Sequence, residues 1–142
     1  MNLQELLKKR MIERFEPDER AAQGLLETAR SNILAAEDNL KTKHPDWALA
    51  IAYNSMLSAG RALMFSKGYR PFSDSHHLAI VQFCAAIVPA DSSALVTSFN
   101  RYRVRRHDVI YGEADSVGED EARRAVENAK KFLEKAKQLC KR

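Results

Sequence analysis

The residues best placed to do chemistry lie between Arg101 and Tyr111. No acidic residue occurs between Asp91 and Asp108, yet Arg101, Arg103, Arg105 and Arg106 all fall there. A basic patch so focused favours an anionic partner, above all RNA or a nucleotide. At about 100° per residue, Leu95, Phe99, Tyr102 and Ile110 lie within ~40° of Arg106 on a helical wheel. Arg106 therefore sits near the centre of an apolar face, while Arg101 and Arg105 project elsewhere, toward solvent. Arginine cannot shed its charge, so an inward position demands an internal carboxylate, a phosphate or the mouth of an interface cleft. His107 and Tyr111 follow at the edge of the same face, one turn apart. A guanidinium, an imidazole and a phenol at one helix end form a site for a phosphodiester or nucleotide phosphate. Arg103, Arg105, Arg106 and His107 are its expected binding residues; Arg106, His107 and Tyr111 are its catalytic candidates.

Elsewhere the chemical signals are weaker. His76 and His77 could line the same cleft, or be a helix-start residue beside an exposed neighbour; His44 before Pro45 is most simply a cap. No His, Cys, Asp or Glu pair has metal-ligand spacing, so neither a metal nor another cofactor is expected. There is no glycine-rich phosphate loop and no nucleophile elbow. Cys84 and Cys140 are isolated thiols, read as reduced cysteines of a cytoplasmic protein.

The elements that must position these residues are helices. With 142 residues, 45% hydrophobic and 30% charged, the chain is expected to form one domain over 1–142 with a sizeable core. No apolar stretch approaches the ~18 residues of a membrane span, and the first residues resemble neither a secretion signal nor a transit peptide. Leu3, Leu6, Leu7, Met11 and Phe15 predict a short amphipathic helix over 2–15, ahead of a core spanning about 18–140. A long helix then begins at Pro17, with Asp18 and Glu19 in its first turn. The next opens at Pro45-Asp46, is apolar or small on nearly every side, and ends at Lys67-Gly68, where glycine supplies the left-handed residue. A loop from Tyr69 to Asp74 leads to a shorter helix from about His76 to Val88. Asp91-Ser92-Ser93 caps another helix, running to about Tyr111. After a loop from Gly112 to Gly118, Ser116 and Glu119 form a capping box for a last amphipathic helix. Short loops between long amphipathic helices imply an all-α, up-and-down bundle of four to five antiparallel helices.

Two stretches together resemble the HEPN domain (higher eukaryote and prokaryote nucleotide-binding). One runs from Ala50 through Tyr53 and Ala59-Gly60-Arg61-Ala62-Leu63, then Gly68-Tyr69-Arg70-Pro71 and Ser75-His76-His77. The other is Arg106-His107-Asp108-Val109-Ile110-Tyr111-Gly112 with the helix from Glu121 to Leu139. The resemblance spans roughly 18–140 and points to the branch with tyrosine in place of the motif histidine. In the family's ribonucleases an arginine, a polar residue, three further residues and a histidine meet across a dimer cleft. Here Arg106 matches the arginine, His107 the polar residue, and Tyr111 stands where the histidine would be. Tyrosine, with an ordinary pKa near 10, is a poor base at neutral pH, whereas His107 could serve. The resemblance thus implies a homodimer that binds RNA or a nucleotide without cutting it. It also implies a toxin–antitoxin or defence pair with a minimal nucleotidyltransferase partner. A metal-independent endoribonuclease using His107, and a purely structural dimerisation bundle, are the alternatives.

Overall fold

Asp18 starts the main bundle: its carboxylate accepts the Ala21 N–H at 2.9 Å, and α2 then runs Glu19–Lys41. The computed structural model describes residues 1–72, 76–112 and 116–141. The remaining positions, among them Ser75 of the expected helix start, parts of two expected loops and Arg142, lie outside the described residues. In α2 the buried residues are Ala22, Leu26, Ala29, Ile33 and Ala36, a stripe with the helical period.

Only Thr42, Lys43 and His44 separate α2 from α3 (Pro45–Ser66), so the two helices return alongside one another. Pro45 occupies the first turn of α3, where its missing N–H costs nothing. Ala48, Ala52, Ala59 and Ala62 are all buried, and these small side chains let neighbouring helices approach α3 from several directions. The hydroxyl of buried Ser55 donates to the Ala29 carbonyl at 2.8 Å, so this buried hydroxyl is satisfied and ties α3 to α2. At the far end Gly68 takes φ +84°, and a Cβ there would stand 2.9 Å from the Phe15 carbonyl oxygen. Both facts require glycine.

The N-terminal segment departs from the expected helix over 2–15. Asn2 and Glu5 form a capping box for α1, which spans only Leu3–Lys8. Arg10 has φ +58°, ending any helical path, and Ile12–Arg14 instead form a strand, β1. It pairs antiparallel with β2 (Tyr69–Pro71), inside the stretch expected to be a loop, in the register Glu13 opposite Arg70. Burial decides the matter: Leu6 and Ile12 are both in the core, and a strand delivers Ile12 there while pairing its backbone with β2.

Beyond β2, α4 (His76–Ile87) leads through Pro89 and one 3-10 turn, Ala90–Ser92, into α5 (Ser93–Tyr111). The last helix, α6, spans Glu119–Cys140 and buries Ala122, Ala125, Val126, Ala129, Phe132, Leu133, Ala136 and Leu139. Its N-cap is Gly118, with no side-chain cap bond, so the expected Ser116 capping box is not made. Ser116 uses its carbonyl elsewhere, as an acceptor for Arg105 at 2.6 Å. The architecture is the expected all-α bundle, with a two-stranded ribbon at one end. At its centre the rings of Tyr53, Phe99 and Phe132 stack from α3 through α5 to α6, with centroids 5.8 and 5.0 Å apart. No described helix is long and apolar enough to cross a membrane.

Candidate functional site

Phe99 and Tyr102 carry the buried face of α5, and Arg106 continues it one turn further on. The guanidinium of Arg106 lies over the Tyr53 ring, 5.8 Å from its centre. Its Nε is buried without a hydrogen-bond partner, and among the described residues Arg106 forms no ion pair. It borders an open cleft of about 380 Å³ lined by His77, Arg103, Val104, Arg106, His107 and Asp108. Of the expected site residues, Arg103, Arg106 and His107 come together here.

The other two go elsewhere. Arg105, expected to face solvent, is half-buried and turned toward α6. Its Nε and Nη2 meet the two carboxylate oxygens of Glu121 at 2.8 and 3.1 Å, and Nη1 lies 3.7 Å from Asp108. This two-pronged pair, with the Ser116 carbonyl, ties the end of α5 to the start of α6 and holds its guanidinium high in pKa. Tyr111 is 73% exposed and stacks against His107, with ring centroids 4.9 Å apart. Arg101, also expected outside, is exposed and lies across the Tyr102 ring.

Behind the cleft, Tyr53 of α3 packs under Arg106 and reaches His77. Tyr53 is fully buried, and its hydroxyl is 2.9 Å from Nδ1 of His77 at the start of α4. Burial pushes the Tyr53 phenol up to about 12, against the opposing pull of Arg106 and Arg103, so it stays protonated. Burial also holds His77 below the ordinary imidazole range, and the charges of His76, Arg106, Arg103 and Arg61 push it the same way. Arg61 repeats the pattern of Arg106: its Nε is buried with no hydrogen-bond partner, and its guanidinium lies 5.7 Å from the centre of the Phe65 ring. By sequence, Tyr53 and Arg61 enter as parts of a buried helix and of the stretch that carries the family resemblance, without a role of their own. A signal for Arg61 is nonetheless present: an arginine within an almost wholly apolar helix raises the same demand for a partner as Arg106 does.

This end of the bundle is therefore a concentration of positive charge with little to neutralise it. Asp108 is the one carboxylate among the cleft-lining residues, and it leans toward Arg105. Such a place can take up an anion with several acceptor oxygens. Among the described residues no three His, Cys, Asp or Glu side chains gather as a metal-binding group.

A helical bundle with a cationic cleft at the end of its fifth helix is the setting in which the comparisons with known proteins fall. The family model described as HEPN domain matches residues 22–139, and the chain belongs to that family. Among solved structures it is similar to TT1696 from Thermus thermophilus, with a TM-score of 0.68 and 21% sequence identity. That match covers 86% of this chain and 99% of the other, and it shows a shared fold. No curated protein matches the sequence.

Proposed function

We propose that this HEPN domain binds the phosphates of RNA or a nucleotide in the cleft at the end of α5. One observation carries the reading: Arg106 keeps its charge and a buried Nε donor, with no carboxylate partner among the described residues. A purely structural bundle would be expected to supply that acid, since an unmatched charge of this kind is costly. A phosphate arriving from solvent satisfies Arg106, and Arg103 and His107 stand at the same cleft to share it. Arg105, already engaged by Glu121, steadies the helix end that carries Arg106 and His107. Membership of the family supports a nucleotide- or RNA-related role in general.

The same reading includes a homodimer through the end of α5. Trp47, Val104, Ile110 and Tyr111 expose 56%, 53%, 38% and 73% of their surfaces there. Trp47, Val109 and Ile110 line an adjoining groove of about 370 Å³. A second copy would cover apolar surface of a kind that monomers rarely leave in one region. A cytoplasmic setting and a minimal nucleotidyltransferase partner, in a toxin–antitoxin or defence pair, complete the proposal. The first is drawn from the isolated cysteines, the second from the family resemblance.

RNA binding by fluorescence anisotropy tests the reading. Arg103→Ala/Arg106→Ala should weaken binding strongly, whereas equal affinity in the variant and wild type would remove the assignment. Cleavage is the second reading, favoured by the exposed His107 imidazole beside Arg106 in one cleft. A metal-independent nuclease would keep its activity in EDTA.

A further inference from the structure

A row of arginines and aromatic rings leads away from the phosphate cleft across the surface. On α3, Arg61 lies over Phe65, and the Phe65 ring is 6.3 Å from that of Phe15, just beyond β1. Arg70 of β2 covers Phe15 at 4.8 Å from its centre, and Arg10 stands 5.9 Å from the ring of Phe72. Since Ile12 points into the core, strand alternation puts Glu13 and Arg70 on the outer side of the ribbon, with Phe15 and Phe72 continuing that row. Phe15 and Phe72 remain 38% and 46% exposed.

We propose that this row is a stacking platform for single-stranded nucleic acid, running out of the α5 cleft along α3 to the two-stranded ribbon. The proposal rests on the phosphate reading of that cleft and makes its ligand an oligonucleotide, not a mononucleotide. Every base offers a flat face to an exposed ring, and the interleaved guanidinium groups reach the backbone phosphates and stack as well. On this side of the ribbon Arg10 and Arg70 outweigh Glu13, so its charge suits a polyanion. From Tyr53 to Phe65, α3 rises about 18 Å, which gives the path room for several nucleotides.

The test compares a fluorescein-labelled uridine octanucleotide with uridine 3′,5′-bisphosphate, both titrated into the full chain. Wild type should bind the octanucleotide at least ~10-fold more tightly than the bisphosphate, the scale of one or two stacked bases. Arg10→Ala/Arg70→Ala/Phe72→Ala should lose that advantage and keep bisphosphate affinity within about twofold. Its log–log salt slope should fall by about 1.4, for two phosphate contacts on a single strand. Because Arg70 also pairs with Glu13, Arg10→Ala/Phe72→Ala serves as the second variant and should lose about half of the effect in log affinity. No gain from bisphosphate to octanucleotide, or unaltered octanucleotide binding by both variants, overturns the platform and leaves the cleft reading intact. Octanucleotide binding that disappears only in the platform variants, with no bisphosphate bound by wild type, overturns the cleft reading and upholds the platform. If the variants instead lose binding to phosphatidylserine vesicles and keep the octanucleotide, the surface meets membranes and the platform is overturned.

Discussion

Arg106 is held in place by packing and left without a counter-ion among the described residues, a combination that separates binding from stability. Replacing it with methionine fills similar space and removes the unpartnered donor. Arg106→Met should therefore keep or raise the melting temperature, by up to about 3 °C for about 1 kcal/mol. It should weaken phosphate-ligand affinity at least ~10-fold, the scale of a charge-assisted hydrogen bond. Thermal unfolding and a binding titration on one preparation check both halves, and a large fall in melting temperature would show Arg106 to be structural.

His77 gives the pH dependence. Its folded pKa lies below the ordinary value, first through burial and then through His76, Arg106, Arg103 and Arg61. Unfolding thus takes up a proton at mildly acidic pH. The stability His77 contributes is complete above about 6.5 and is lost as pH falls toward its folded pKa. An anion in the cleft offsets the arginine charges and favours protonated His77, so phosphate-ligand affinity should rise over the same window. His77→Asn should flatten both trends; an affinity that is level or falls on acidification would count against His77 as a member of the site. For the nuclease reading, His107→Ala should reduce cleavage at least ~100-fold, while Tyr111→Phe, in an exposed ring, should change it little.

At the scale of elements, α5 is fixed at both ends of its buried face. Gly60 of α3 lets α4 and α5 pack close: a Cβ there would lie 2.7 Å from Cγ2 of Ile80, 3.2 Å from Sγ of Cys84 and 3.3 Å from Cε2 of Phe99. Gly60→Ala should cost about 1–3 kcal/mol by overpacking, lowering the melting temperature by roughly 3–10 °C. Calorimetry checks this, and an unchanged transition would mean that the neighbouring side chains move aside easily. The long helices could be read from the sequence because their apolar spacing and end signals agree, as with Asp18 before α2 and Gly68 after α3. The ribbon could not: β1 is three residues long, and its partner lies 57 positions away across Glu13 and Arg70. Helical spacing from Leu3 to Phe15 competes with a pairing that only the tertiary fold supplies. Arg106 is legible for a related reason, since the wheel locates a residue relative to its own helix. The same wheel sends Arg105 to solvent because it carries no information about Glu121 on α6.

Taken as a whole molecule, the bundle gathers cationic groups from α3, α4 and α5 at one end and leaves exposed apolar surface beside them. That surface should hold two copies together, so light scattering at tens of micromolar should give about twice the 16.1 kDa of one chain. A monomer at that concentration would contradict the dimer. The account stands most directly on phosphate recognition by the α5 cleft. Its test is the affinity of a short single-stranded RNA for wild type and for Arg103→Ala/Arg106→Ala, with circular dichroism establishing that both are folded. Removing two charge-assisted contacts should weaken binding by at least ~100-fold and lower the log–log salt slope by about 1.4. Equal affinity and equal slope in a folded variant would contradict it.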